Sequence, residues 1–356
     1  MEVVSLKRCT SVFLQPSVRN KTHLSACLTD TTHISSFFED NLTDIERSLS
    51  EVILHPDPGS LYDPARYVLD SKGKRFRPQL VLAASNVFGG NRDLALKVAV
   101  AVEVFHIFTL VHDDIMDKAS MRRGRDTIHV RWDEPTAILA GDYLLGRSSE
   151  LLLAFPDERL REALTHFTNT VRILCEGQVR DMDFESRDDV TLEEYLLMID
   201  QKTSALLQTS LILGAMTGNA TDMDVALLGQ IGHDLGRAFQ IQDDLLDVVA
   251  DSQKWGKPVG GDLLSGKKTF MLLKALEEES GQASGYFRSV IERGGVVQED
   301  LGAARQKMEM LGVTDSARST IILHSAKAQE NIARLPAGIG RDALASLTDK
   351  MQRRLH

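Results

Sequence analysis

The chain has 356 residues, 43% hydrophobic and 26% charged, with a formal net charge of −10. That composition describes a globular protein with a sizeable core, and the acidic surplus argues against nucleic acid as a general partner, since phosphate backbones need an excess of Lys and Arg. The three cysteines, Cys9, Cys27 and Cys175, lie far apart without metal-ligand spacing, which points to a reducing compartment and no disulfide framework.

Residues 1–35 differ from the rest. They carry Lys7, Arg8, Arg19 and Lys21, many Ser and Thr, and only Glu2 and Asp30 as acids. This reads as a flexible or leader segment, a composition that organelle targeting would share, although the cytoplasm is the expected compartment. Residues 36–356 read as one all-α domain. Segments 93–118, 156–185, 192–217 and 225–251 show apolar residues at three- and four-residue intervals and almost no proline. Looser stretches are expected at 55–64, 251–266 and 278–285. No uninterrupted apolar run approaches the ~20 residues that span a bilayer. The nearest candidate, 94–111, contains Lys97, Glu103 and His106, ends in aspartates and reads as a core helix.

That helix runs into "LVHDDIMDKASMRRG" at 110–124. At ~100° per residue, His106, Asp113 and Asp117 fall within ~40° of one another, with Glu103 at the margin and Asp114 pointing elsewhere. A solvated acidic face is the bland reading of such a cluster. Phe105, Ile107, Phe108, Leu110, Val111, Ile115 and Met116 around it argue for an apolar wall instead. Carboxylates crowded there repel one another and resist ionisation unless a cation joins them. Hard oxygen ligands suit Mg²⁺ bridging to a phosphate. The loop glycine and ligand spacing of an EF-hand are missing, and His106 and His112 lack the cysteine partners of a zinc site.

The motif recurs. "FQIQDDLLD" repeats the arrangement with Asp243, Asp244 and Asp247, again at the end of an apolar amphipathic helix. Two such helices facing each other would set opposed carboxylate walls around Mg²⁺ ions, a cluster that binds a diphosphate and stabilises it as a leaving group.

With these motifs in place, the chain from about residue 42 resembles the trans-isoprenyl diphosphate synthases. "HDDIMD" and "QDDLLD" match that family's two metal-binding motifs. "GKRFRP" (73–78), "MRRG" (121–124), "LAGDYLL" (139–145), "GQVRD" (177–181), "QKTSAL" (201–206) and "GKPVGGDLLSGKKT" (256–269) occur in the family's order. The resemblance implies an isoprenoid synthase fold, antiparallel helices around a central active-site cavity, usually as a homodimer. It also implies three Mg²⁺ ions per active site and condensation of isopentenyl diphosphate with an allylic diphosphate. Position by position, Asp113, Asp117 and Asp243, supported by Asp114, Asp244 and Asp247, look like the Mg²⁺ carboxylates. Arg122, Lys202, Thr203, Gln240, Lys257 and Lys267 match the residues that hold the allylic diphosphate. Lys74, Arg77, His106 and Arg123 match the metal-free grip on isopentenyl diphosphate.

Charge chemistry supports that division, because Arg offers bidentate forks to phosphate whereas Lys acts as a point charge. A class I terpene cyclase shares the fold but generally carries an Asn/Ser/Glu motif on the second helix. An inactive regulatory subunit tends to have lost motif aspartates, and all six are retained here. In the family the fourth and fifth residues before the first DDxxD help form the floor of the product pocket. Here they are Thr109 and Phe108, and the bulk of Phe108 suggests a shallow pocket. Products of C15 to C20 are expected, geranylgeranyl diphosphate favoured over farnesyl diphosphate, with longer chains as the alternative.

Overall fold

The computed structural model describes residues 20–53, 55–250, 259–279 and 285–352, with side chains described from His33 to Met351 within those ranges. Helix α1 spans Asn20–Ser50, α2 Gly59–Leu69, α3 Phe76–Val87 and α4 Arg92–Met116. A hairpin of two-residue strands follows, β1 Met121–Arg122 and β2 Arg125–Asp126. Next come the short α5 Ile128–Arg131, α6 Glu134–Leu152, α7 Asp157–Ser186 and α8 Leu192–Ile199. A π-turn, Asp200–Ser204, joins α8 to α9, Ala205–Met216. The long α10 covers Asp222–Val249. The remaining helices are α11 Gly261–Leu264, α12 Phe270–Glu279, α13 Tyr286–Glu292, α14 Leu301–Met310, α15 Val313–Ala333 and α16 Ile339–Gln352.

Two rods position everything else. Asn91 caps α4, its side chain accepting from the Leu94 amide at 2.9 Å. The helix then runs with Val98 to Val102, Val104 and Phe105 all buried, packed on α3, α6 and α9. It is long and apolar enough to cross a membrane, yet most of its apolar window is covered by neighbouring helices, as a core helix requires. The second rod, α10, starts at a capping box in which Thr221 and Asp224 bond each other's backbone amides. It packs on α9 and α15. Because α9 touches both rods, the aspartate-bearing ends of α4 and α10 are fixed relative to each other through it.

The all-α expectation matches the fold, and the long periodic segments became helices with ends shifted by a few residues. Three expectations need correction. Of the stretch 251–266, residues 251–258 lie outside the described residues, and Gly261–Leu264 form α11 rather than a loop. The stretch 55–64 is not loose throughout, since α2 begins at Gly59 and carries Pro64 inside it. Burial of Pro64, Ala65 and Leu69 offsets the missing proline amide. The segment 192–217 is not one regular helix, because the π-turn interrupts it.

Arg75, a residue of "GKRFRP" without a functional role assigned above, is the fixed point of the loop before α3. It is buried, sits at φ 46° in the left-handed region, and precedes the first residue of α3. Its guanidinium donates to Glu46 at 2.8 Å, to Glu103 at 2.9 Å and to the carbonyl of Ser71 at 2.9 Å. Glu103, at the margin of the acidic stripe, is therefore occupied by this pair. Replacing Arg75 with Met should cost about 3–5 kcal/mol, because Glu103 would stay buried without its partner. Urea unfolding would measure it, and a loss under about 1 kcal/mol would mean the pair does not anchor this loop.

Candidate active site

The last turn of α4 presents Asp113 half-buried and Asp114 buried, with Asp117 exposed at the C-cap. Asp114 points away from Asp113, as the helical wheel requires, and accepts from Arg122 Nε at 2.7 Å. Asp113 and Asp117 take no hydrogen bond from another side chain among the described residues. Burial raises the Asp113 carboxyl above the usual carboxylate range, with Asp117 and Asp181 adding repulsion while Lys202 and Arg122 oppose it.

On α10 the corresponding residues are tied to the scaffold differently. Asp244 is buried and accepts from Tyr195 Oη of α8, from the Phe270 amide at 3.0 Å and from Gln240 Nε2 at 3.1 Å. Burial nonetheless holds its carboxyl high. Asp247 accepts from the Asp262 amide at 3.0 Å. Asp243 is half-buried and lies within electrostatic reach of Arg77 on α3.

Lysines bridge the two walls. Lys202, on the π-turn, donates to Asp181 Oδ2 of α7 at 2.6 Å, and Lys267 Nζ stands 3.9 Å from the same oxygen. Desolvation works against the Lys267 charge, but Asp181, Asp262, Asp117 and Asp244 hold its pKa above the usual value. One ammonium thus feels Asp117 of the first motif and Asp244 of the second, which brings both motifs to one site. Thr203 donates to Gln240 Oε1 at 3.0 Å, and Gln240 passes the chain on to Asp244. Asp262, on the short α11 that precedes Lys267, has its carboxyl pushed up to about 7 by burial and by Asp247 and Asp244.

A separate basic group lies further back along α4. Arg77 Nη1 sits 3.2 Å from His106 Nε2. Since Arg can only donate, Nε2 is the acceptor, and the ring proton belongs on Nδ1. Burial, together with Arg77, Arg123 and Arg122, keeps His106 neutral by lowering its pKa far below the usual value. Arg123 occupies the hairpin turn at φ 53°, with Gly124 at φ 76° after it, the two left-handed residues of a type I′ turn. Its Nη1 donates to the Lys72 carbonyl at 3.1 Å. Tyr67 anchors the hairpin, donating to the Asp126 carbonyl at 2.9 Å while Arg125 stacks 3.9 Å from its ring centroid. Lys74 is exposed next to this group.

Residues 58–308 match the polyprenyl synthetase family. The chain belongs to that family. It is 39% identical over 313 residues to the short chain isoprenyl diphosphate synthase of Methanothermobacter thermautotrophicus, covering 88% of this chain and 94% of that one. It is 43% identical over 249 residues to the geranylgeranyl diphosphate synthase of Sulfolobus acidocaldarius, covering 68% and 76%. The solved structure of geranylgeranyl pyrophosphate synthetase from Pyrococcus horikoshii superposes with a TM-score of 0.85 at 34% identity, covering 91% of this chain and 99% of that one.

Within this polyprenyl synthetase fold, Asp113, Asp117, Lys202, Lys267, Thr203 and Gln240 flank one site, Arg77, His106 and Arg123 gather in a second, and Asp243 lies within electrostatic reach of Arg77. Lys257 lies outside the described residues. Phe108 is half-buried, its ring 5.5 Å from that of Phe105 and 4.7 Å from that of His112, while Thr109 Oγ1 donates to the His106 carbonyl at 2.8 Å. Asp181, Tyr195 and Asp262 were given no role from sequence. Asp181 sits inside the quoted "GQVRD", and the need of two lysines for a counter-charge was the signal for it. Tyr195 precedes Lys202 by seven residues, a spacing that would place both on one face of a regular α-helix, although the π-turn between them alters that alignment here.

Proposed function

We propose that this polyprenyl synthetase condenses isopentenyl diphosphate with an allylic diphosphate, releasing diphosphate and a prenyl diphosphate one C5 unit longer. The placement of two anion sites along one helix carries the reading. His106 and Asp113 are seven residues apart, so the metal-free Arg77–His106–Arg123 group and the aspartate–lysine group lie about 10 Å apart along α4. Each would hold one diphosphate head, leaving the reacting carbons between them.

Asp113, Asp117 and Asp243 would hold Mg²⁺. The donor set fits, being all hard oxygen, with Asp113 destabilised as a lone carboxylate by burial and by Asp117 and Asp181. Among the described residues no three acidic, His or Cys side chains already converge as ligands. Mg²⁺ asks for less than that, since one or two carboxylates complete a site with water and substrate phosphate. When bound, the metal supplies Lewis-acid charge that stabilises the departing diphosphate. Lys202, Lys267 and Arg122 add positive charge to the same leaving group, and Thr203 and Gln240 offer hydrogen bonds. As the C–O bond of the allylic substrate breaks, its electron pair leaves with diphosphate. The double bond of isopentenyl diphosphate attacks the allylic cation, and the proton then lost goes to the released diphosphate. Neutral His106 accepts from Arg77 and so aims that guanidinium, contributing no repulsion of its own. The apolar wall of α4 excludes water from the cation.

Relatives named for geranylgeranyl diphosphate support C15 to C20 products, C20 favoured, with Phe108 and Thr109 at the pocket floor. A terpene cyclase would leave the Arg77–His106 group without a substrate, and an inactive subunit would not keep six motif aspartates. A homodimer is supported by the apolar side chains of Val130, Trp132, Ile138 and Leu139, all exposed on α5, α6 and the loop between them. Separated cysteines and an acidic balance suit the cytoplasm.

Purified protein given labelled isopentenyl diphosphate and an allylic primer should elongate the primer only with a divalent cation. Asp113→Ala should lower kcat by about 10²–10³-fold or more with the fold intact. Turnover surviving in EDTA would end the metal reading. Phe108→Ala should lengthen the product by at least one isoprene unit, read by chromatography; an unchanged product distribution would remove Phe108 from the floor. Sedimentation at micromolar concentration should give a dimer, and an active monomer would refute it.

A further inference from the structure

The π-turn that carries Lys202 and Thr203 does not stand unaided. The Ala205 amide bonds back five residues to the Asp200 carbonyl, so the rod from α8 to α9 contains one widened turn. Such a turn is rare because its hydrogen-bond ring is less favourable than that of an α-helix, and it persists only where its surroundings hold it. An inserted residue also rotates everything downstream by about 100°. The directions of Lys202 and Thr203 relative to α8 therefore depend on whether the turn stays open.

Polar contacts from one stripe of α10 hold it. His233, Arg237, Gln240 and Asp244 are spaced four, three and four residues apart and share a face. Arg237 grips Asp200, the first residue of the turn, through Nε at 2.8 Å and Nη2 at 2.6 Å. His233 Nε2 stands 3.2 Å from Asp200 Oδ1. Gln240 takes the Thr203 hydroxyl at 3.0 Å, and Asp244 takes Tyr195 Oη at the base of the rod. Behind His233, Asp234 pairs with His324 Nδ1 of α15 at 2.6 Å, which backs the stripe with a third helix. The backbone is clamped as well. A Cβ at Gly177 of α7 would lie 2.6 Å from the Lys202 amide nitrogen, and one at Gly236 of α10 would lie 2.2 Å from Ser204 Oγ. The turn is thus confined between two helices in direct contact with it.

We propose that Asp200, gripped by Arg237 and His233, is a positioning residue that keeps the π-turn open and so aims the Lys202 ammonium and the Thr203 hydroxyl at the allylic diphosphate. Asp200 touches no substrate. Its carboxylate acts only through the geometry of the two residues after Gln201, so its loss should affect one diphosphate site and spare the other. The inference rests on the functional reading above for its substrate, but not for its geometry.

The test uses Asp200→Asn, Arg237→Gln, their double variant and Arg237→Lys, with each substrate varied at saturating levels of the other. Asp200→Asn and Arg237→Gln should each raise KM for the allylic diphosphate about tenfold and lower kcat, while KM for isopentenyl diphosphate changes less than about twofold. The double variant should be no worse than the worse single one, because the pair acts as a unit. Arg237→Lys keeps the charge without the fork and should fall between wild type and Arg237→Gln; it also serves if Arg237→Gln does not fold. Folded variants with a wild-type allylic KM would overturn the proposal, as would both KM values rising together in step with a fall in Tm. Calorimetric titration with inorganic diphosphate and Mg²⁺ reads the same displacement without turnover. Wild-type protein that binds diphosphate but transfers no prenyl group would sink the functional reading alone, whereas equal diphosphate affinity in wild type and variants would sink this one.

Discussion

Crowding like charges at the ends of apolar helices is the constraint on which the rest of the molecule depends. An isolated carboxylate in a buried wall is costly, and two in contact cost more. The fold meets this by dividing each motif. Asp114 goes to Arg122, Asp244 to Tyr195, Gln240 and the Phe270 amide, and Asp247 to the Asp262 amide. These pairs fix the last turn of each rod to a neighbouring segment. What remains facing the gap, Asp113 and Asp117 on the first rod, is held close to Lys202 and Lys267 but not neutralised by them. A site built this way prefers a cation or a cation-bearing diphosphate to vacuum or water, because the unfavourable like-charge term is already present before the ligand arrives.

The second anion site solves the opposite problem. Arg75, Arg77, Arg122 and Arg123 all act on His106, and a further positive charge there would be repelled. Burial and those guanidiniums keep the imidazole neutral, which turns His106 from a competitor into an acceptor for Arg77. Arg75 spends its charge within the protein, on Glu46 and Glu103, as Arg122 does on Asp114. Its left-handed backbone ends the loop and starts α3, so one residue both sets the direction of Arg77 and removes Glu103 from the acidic stripe. The stripe read from the helical wheel was geometrically right, but one of its members already had a partner.

Sequence made the helices and the acidic motifs legible for the same physical reason. Periodic burial and repeated carboxylate spacing are local patterns, visible within about two helical turns. The all-α fold followed from that pattern alone, while the roles of Lys202 and Arg77 came from resemblance. Long-range pairings were not legible. Nothing local says that Arg75 reaches 28 residues on to Glu103, or that Tyr195 meets Asp244 across 49 residues. Pro64 misled for a related reason, since a local breaker was outweighed by the core that α2 packs on. The π-turn was invisible because its residues have ordinary helical propensity, and only the clamp from α7 and α10 selects the wider turn.

That last case shows where chemistry and folding share a mechanism. A regular helix from Leu192 to Met216 would satisfy the apolar face of the segment well, since α8 buries Tyr195, Met198 and Ile199 and most of α9 is buried. It would also carry the register of α8 unchanged into α9. Tyr195 must reach Asp244 and Thr203 must reach Gln240, four residues earlier on the same α10 stripe. The rod climbs eight residues between its two contacts while α10 is read backwards by four, so the two helices run past each other in opposite directions at unequal pitch. The inserted residue of the π-turn falls between those two contacts, and the Asp200–Arg237 fork holds its first residue. The irregularity is thus what lets two regular helices present matched polar stripes to one another, and the lysine at its centre faces the site as a consequence.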